Sequence, residues 1–184
     1  MAENKFWTDV SAEPKRKFRF KVIIFSDSVA WYAKSITAPS FEISSVEHHF
    51  SDHVFNYPGK VKWNDVSVTL IDPGGSDDVV NHTLALINNA GYRLPTMGEA
   101  LSEDAFDTFS KSELVANNGQ VSLIATDESG VDLETWTLNN AFITSAKFGD
   151  FDYSSEDMRE IELTFKYDWA SCNVNGGGTY FEKG

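Results

Sequence analysis

Glu160-Ile161-Glu162-Leu163-Thr164-Phe165-Lys166-Tyr167-Asp168-Trp169 alternates without a break between polar and apolar side chains. In an extended chain successive side chains point to opposite faces. Ile161, Leu163, Phe165, Tyr167 and Trp169 therefore share one face, and Glu160, Glu162, Thr164, Lys166 and Asp168 the other. A helix would scatter the same residues around its circumference. The stretch is predicted as a strand with one face in a core and one in water.

The same period recurs upstream. Phe18, Phe20, Val22 and Ile24 fall on one face, opposite a face that begins with Arg19 and Lys21. Residues 31–37 read as a further strand, closed by Ala38-Pro39, because proline cannot donate to a ladder. Phe41, Ile43 and Val46 continue as another. Over residues 61–71, Trp63, Val66, Val68 and Leu70 oppose Lys62, Asn64, Ser67 and Thr69. The register slips between Trp63 and Val66, which predicts a bulge or bend near Asn64-Asp65. Residues 121–126 and 131–138 flank Asp127-Glu128-Ser129-Gly130, a turn by composition, and read as a hairpin. Residues 141–148 form the next strand.

One helix stands out. After the turn Asp72-Pro73-Gly74-Gly75, Ser76 fits an N-cap, and Asp77 and Asp78 suit the positive end of the helix dipole. Val80, Leu84 and Ile87 follow at helical spacing, Gly91 suits the C-cap and Pro95 lies beyond it, so a helix is predicted over about 77–90. A loop with a weak helical turn is expected near 99–112, anchored by Phe106 and Phe109. The Gly- and Asn-rich stretch after residue 171 reads as a loose tail ending in Tyr180-Phe181. About eight strands and one helix make a mostly β protein: two packed antiparallel sheets, sandwich or barrel, with one flanking α-helix. Residues 1–184 are read as one domain with a basic N-terminal arm (about 1–17) and a Gly-rich tail (about 171–184).

Composition narrows the function. The chain has 184 residues, 15 basic and 28 acidic, for a net charge of −13. With 41% hydrophobic and 14% aromatic residues it has the apolar surface a core needs, unlike a disordered acidic tail. So acidic a body should repel nucleic-acid backbones, whose affinity comes from basic residues displacing counterions. Residues 1–21 invert the balance, with Lys5, Lys15, Arg16, Lys17, Arg19 and Lys21 against Glu3, Asp9 and Glu13. The basic stretch is either a solvated start to the first strand or an arm that docks on the acidic body of another copy. No apolar run is long enough for a membrane span, and the first residues lack the apolar run of a secretory signal. A protein made in the cytoplasm is expected.

Catalytic constellations are not evident. His48, His49 and His53 cluster, but adjacent histidines of an extended chain diverge, so solvated loop histidines are expected rather than a metal site. The Asp72–Asp77 loop lacks the glycine and the terminal glutamate of a calcium loop, and Gly74-Gly75 lacks the sequel of a phosphate loop. Cys172 has no histidine beside it, and carboxylate pairs are expected by chance in so acidic a chain. No catalytic residue, metal or cofactor is predicted.

Four stretches, taken in order, resemble the tail tube proteins of contractile-tail bacteriophages. They are the strand entering Ala33-Lys34-Ser35-Ile36-Thr37-Ala38-Pro39-Ser40, the polar-aromatic segment leading into Tyr57-Pro58-Gly59-Lys60-Val61-Lys62-Trp63-Asn64-Asp65-Val66-Ser67-Val68-Thr69-Leu70, the helix that follows, and the close from Phe148-Gly149-Asp150-Phe151-Asp152-Tyr153 to the alternating strand. The likeness runs over about residues 15–170 and lies in the ordered set rather than in one motif. The longer N-terminal arm and the extension after Trp169 depart from it. Related tubes serve type VI secretion and other contractile injection systems.

The resemblance implies a structural role: two packed sheets with a helix, six subunits to a ring, rings stacked into a tube that conducts DNA. It implies as partners the chain itself, a contractile sheath protein, and baseplate and tail terminator proteins, with DNA passing without specific binding, in a virion tail. A carboxylate-lined wall would keep DNA centred by repulsion reaching about 8 Å at physiological salt. By the same resemblance, the segment from His49 to Lys60, whose aromatics show no regular period, would project onto the adjacent ring through Phe50, His53, Phe55, Tyr57, Pro58 and Lys60, or else pack as an internal loop on its own core. The channel wall would be a continuous barrel of strands carrying Glu42, Ser44, Asn64, Ser67 and Thr69, with Glu160 and Glu162; the alternative for these residues is an ordinary solvated sheet face. Phe6 and Trp7 precede the basic cluster and suit burial in a neighbour's groove, with Lys15, Arg16 and Lys17 on its acidic body, or else burial on their own subunit. Other readings are a baseplate tube-initiator paralogue, an inner tube protein of an injection or type VI-like system and, from another class, a ligand-binding or enzymatic β-sandwich.

Overall fold

In a computed structural model, residues 14–25, 29–92, 109–118 and 120–182 are described. Phe6, Trp7 and Phe106 lie outside them. Eleven strands and two helices follow in chain order: β1 (Phe20–Ile23), β2 (Ala33–Ile36), β3 (Phe41–Phe50), β4 (His53–Trp63), β5 (Val66–Ile71), α1 (Val79–Asn89), α2 (Lys111–Asn118), β6 (Val121–Thr126), β7 (Asp132–Asn139), β8 (Phe142–Lys147), β9 (Glu160–Lys166), β10 (Trp169–Val174) and β11 (Gly178–Tyr180).

The strands form a five-stranded sheet in the order β1-β6-β7-β10-β11, a four-stranded sheet in the order β2-β5-β9-β8, and a separate two-stranded hairpin of β3 and β4. Every named pairing is antiparallel. The core lies between the two larger sheets. Val66, Val68 and Leu70 of β5 and Ile161, Leu163 and Phe165 of β9 are fully buried, and meet Val22, Ile24, Val121, Leu138 and Ala170. Along β9 buried and more exposed residues alternate as the sequence dictates.

The expected break at Asn64-Asp65 separates β4 from β5. Asn64 N–H donates to the Ser40 carbonyl (2.9 Å), and Asn64 Nδ2 donates to Ser40 Oγ (3.2 Å), which pins the corner where the hairpin leaves the body. The predicted 121–138 hairpin is β6–β7, in which Asp127 Oδ1 accepts from Ser129 N–H and Val131 N–H, both at 2.8 Å.

Several expectations need correction. The helix starts later than Ser76: Gly75–Asp77 is a 3₁₀ turn, and the cap of α1 is Asp78, whose carboxylate accepts from Asn81 N–H at 2.8 Å. Val79, Thr83 and Leu86 make its buried side: Val79 and Leu86, which widen the apolar stripe in the sequence, are its inward part, and Leu84 is exposed. A second helix, α2, starts at Lys111, where the sequence places only a weak turn ending at 112. Lys111 Nζ lies 2.7 Å from both Asp168 carboxylate oxygens, and buried Asn118 donates to the Ala141 carbonyl at 3.2 Å, fixing α2 to the body. Phe18 precedes β1 and is exposed, so the apolar face starts at Phe20.

The segment from His49 to Lys60 is not an irregular loop. It is the tip of the hairpin and most of β4, with Phe50 opposite His53 across the two-residue turn Ser51-Asp52. Trp169 does not end the alternating strand, because the chain breaks at Tyr167-Asp168 and Trp169 opens β10. Nor are residues 171–180 a loose tail: β10 pairs with β7 on one side and β11 on the other.

Candidate functional site

The hairpin is the least ordinary feature. Every residue of β3 and all of β4 up to Trp63 is exposed. A strand of ten residues rises roughly 33 Å. A lone two-stranded ribbon is marginally stable in water, and its edges offer unpaired donors and acceptors. Near the body, the Ser44/Gly59-Lys60 bulge offsets the register: Lys60 N–H donates to Ser44 Oγ (2.9 Å), and Ser44 Oγ donates back to the Lys60 carbonyl (3.3 Å). A Cβ at Gly59 would collide with Ser44, so only glycine fits beside the bulge.

Beyond the bulge, Val46 opposes Tyr57, His48 opposes Phe55 and Phe50 opposes His53. The alternation of an extended chain puts these six residues on one face. Phe50, Phe55, Tyr57 and Val46 are 70%, 44%, 56% and 62% exposed, and His53 packs edge-on against Phe55 at 4.7 Å. The structure thus brings together Phe50, His53, Phe55 and Tyr57. Pro58, opposite Ser45, belongs to the other face, and Lys60 belongs to the bulge. His48 and His49 point to opposite faces. Among the described residues no group of three or more His, Cys, Asp or Glu side chains could hold a metal ion.

The predicted channel-wall residues divide in two. Ser67 and Thr69 of β5 oppose Thr164 and Glu162 of β9, with Glu160 next along the same face, away from the core. Ser145 and Lys147 extend this polar face onto β8, and Ser35 onto β2. Glu42 and Ser44 instead lie on the hairpin, and Asn64 holds the corner below it. The two glutamates do not make the face acidic: Glu160 contacts Lys34, and Glu162 pairs with Lys147 at 2.8 Å. What remains is rich in hydroxyls, and both edges of this sheet, β2 and β8, lack a strand partner among the described residues.

The basic stretch lies along its own chain. Lys15 contacts Glu134, Arg19 lies 3.5 Å from Glu128, and Lys21 donates to Asp132 (2.9 Å) and to the Gly130 carbonyl (3.0 Å). Arg16 and Lys17 are exposed beside them. Lys15, Arg19 and Lys21 thereby offset acids of the β6–β7 hairpin, while the same stretch borders a groove against β2. Cys172 is buried, and burial followed by the Glu134 charge raises its pKa, so it is not a poised thiolate.

Sequence reasoning missed the root of the hairpin. Phe41, Trp63, Tyr167 and Phe181 form one aromatic cluster, with ring centroids 5.2 Å (Phe41–Trp63), 5.9 Å (Trp63–Tyr167), 5.8 Å (Trp63–Phe181) and 6.2 Å (Phe41–Phe181) apart. Phe181 lay in the presumed loose tail, and only the pairing of β10 with β11 carries it there.

These features define a two-sheet antiparallel β protein with a flanking helix and a long projecting ribbon. No protein-family model and no curated protein matches the chain. Solved structures do share the fold. A chain of the sheath-tube complex, in the extended state, of the extracellular contractile injection system PVC superposes with a TM-score of 0.63 at 19% identity, covering 88% of this chain and 92% of that one. A chain of the anti-feeding prophage cap, the AFP tube terminating cap, gives 0.64 at 18% identity, covering 95% and 99%. A chain of the PVC sheath/tube terminator in the extended state gives 0.63 at 19%, covering 88% and 98%. The fold is therefore that of components of contractile injection systems. Among the described residues, no helix is long and apolar enough to cross a membrane.

Proposed function

We propose that this chain is a structural subunit that self-assembles into the inner tube of a contractile tail or injection apparatus, six copies to a ring and rings stacked end to end. The observation that carries this reading is the hairpin: about 33 Å of ribbon with Phe50, Phe55 and Tyr57 in water is explained once a second subunit covers it. The four-stranded sheet supports it. With open edges at β2 and β8 and a polar outer face, six such sheets placed edge to edge close into one barrel wall with Ser67, Thr69, Glu160 and Glu162 towards the channel.

The pairing of Glu160 with Lys34 and of Glu162 with Lys147 makes that wall polar and nearly neutral rather than acidic. Such a wall still gives DNA no cationic surface to hold, and the net charge of −13 adds a general repulsion. In this reading the protein is no enzyme, is made in the bacterial cytoplasm and ends in a phage tail or tail-like particle. Its partners are a sheath protein around the tube and terminator and baseplate proteins at the ends.

Sedimentation and negative-stain microscopy of the purified chain test the reading. Rings or tubes with a central channel are expected; a monomer at every concentration and salt, with a melting temperature raised by a small ligand, would overturn it in favour of a ligand-binding sandwich.

A further inference from the structure

Antiparallel pairing gives the four-stranded sheet two distinct ends. At one end, β2 stops at Ile36, β5 starts at Val66 and the hairpin departs. At the other, β8 stops at Lys147 and β9 starts at Glu160. Two surface features lie beside this sheet.

Along β2, from Lys34 to Ala38, lies a groove of about 590 Å³ between the edge strands β1 and β2. Phe20, Ile36, Leu123 and Ala125 supply apolar lining, and Lys15, Arg16, Lys17, Arg19 and Lys34 give it five basic side chains, of which Lys15 pairs with Glu134, Arg19 with Glu128 and Lys34 with Glu160. In a chain of net charge −13 this is a concentration of positive charge. At the end away from the hairpin, the β8–β9 connection carries Asp150, Asp152, Glu156 and Asp157 together with exposed aromatics. Phe151 is 83% exposed despite the Arg159 guanidinium 4.5 Å over its ring, and Tyr153 is fully exposed. Asp152 is held as a carboxylate: the backbone N–H and then the hydroxyl of Ser154 lower its pKa.

We propose that the acidic-aromatic segment Asp150-Phe151-Asp152-Tyr153 of one copy docks into the basic groove of a second copy. Charge and shape agree: the rings fill the apolar lining while the carboxylates meet the lysines and arginines at its rim. Because the groove and the loop are different surfaces of one chain, a contact made once between two copies is heterologous and repeats from copy to copy, which is the geometry that propagates a filament rather than closing a dimer. Exposed charges contribute mainly register and salt sensitivity, and the buried rings contribute most of the affinity.

This rests on the self-assembly reading, and charge exchange separates the two. In the full chain, Asp150→Lys/Asp152→Lys and, separately, Arg16→Glu/Lys17→Glu should each lower the sedimentable assembled fraction at least tenfold, with the unassembled chains still melting cooperatively within a few degrees of the parent. All four substitutions in one chain should restore assembly to within about threefold of the parent, since each copy again carries both complementary partners. A parent that forms tubes while both variants also do so overturns the docking alone. A parent that never assembles overturns both readings. If only the groove variant fails, the groove holds something other than this loop, such as residues 1–13, and the proposal is wrong. Should charge reversal prevent folding, Tyr153→Cys/Ala38→Cys gives an independent readout: oxidation should produce a ladder of disulfide-linked multimers, and exclusively monomeric product would refute the contact.

Discussion

Phe181 lies edge-on against Trp63, ring centroids 5.8 Å apart and planes at 84°, so that the last described strand braces the base of the hairpin. Phe181 holds a left-handed backbone with φ 60°. For a bulky residue that conformation costs on the order of 1 kcal/mol, and the ring contacts offset it.

Phe181→Ala is therefore expected to cost about 1 kcal/mol, half of what full burial of such a ring would give, since 55% of the residue remains exposed. Phe181→Gly should cost less than the alanine change, because glycine accepts the positive φ. Hydrogen exchange should quicken at residues 41–43 and 61–63 in the alanine variant and stay unchanged in β9. Uniform quickening would mean that the ring belongs to the general core instead.

Gly149 leads out of β8 with φ 69°, and a Cβ there would run into the Glu160 carbonyl oxygen. Neither the backbone nor the space suits another residue. Gly149→Ala should destabilise the protein by about 2–3 kcal/mol, measured by urea titration. A change below about 0.5 kcal/mol would show that the start of β9 yields easily.

The hairpin can be shortened without disturbing its root. Replacing residues 47–56 by Asn-Gly leaves Val46 opposite Tyr57 across a two-residue turn of the favoured type. The shortened chain should melt within a few degrees of the parent, because the removed residues touch no core, yet form no tubes under the microscope. Normal tubes from this variant would remove the hairpin from the assembly.

Much of this fold was legible because its period is local. Alternation in residues 160–166 and 66–71 marks strands whose inner faces are core, and the slip after Trp63 marks the corner correctly. The same test failed on residues 49–60 for a physical reason: a ribbon with no core behind it shows no inside-outside alternation, and the bulge at Ser44 and Gly59-Lys60 shifts the faces midway. Residues 171–180 were misread because glycine and asparagine encode the turn at 175–177, not the strands beside it. The lysines that neutralise Glu160 and Glu162 come from β2 and β8, too distant in sequence for spacing to reveal.

Tyr167 gives the hairpin root a signature at alkaline pH. It sits against Trp63 and is nearly buried, and burial pushes its phenol up to about 12. An unfolded tyrosine titrates near 10, so the folded state holds this proton more tightly. The linked stability is complete below pH 10 and is lost as pH rises through about 12, a change on the order of 2 kcal/mol. Other tyrosines and the lysines titrate in the same range, so the difference between the parent and Tyr167→Phe isolates this group. The phenylalanine variant should match the parent near pH 7 and exceed its stability progressively between pH 10 and 12, read by denaturant titration at each pH. Parallel pH profiles for the two proteins would show that the Tyr167 hydroxyl keeps its solvent contact and that the root of the hairpin is open.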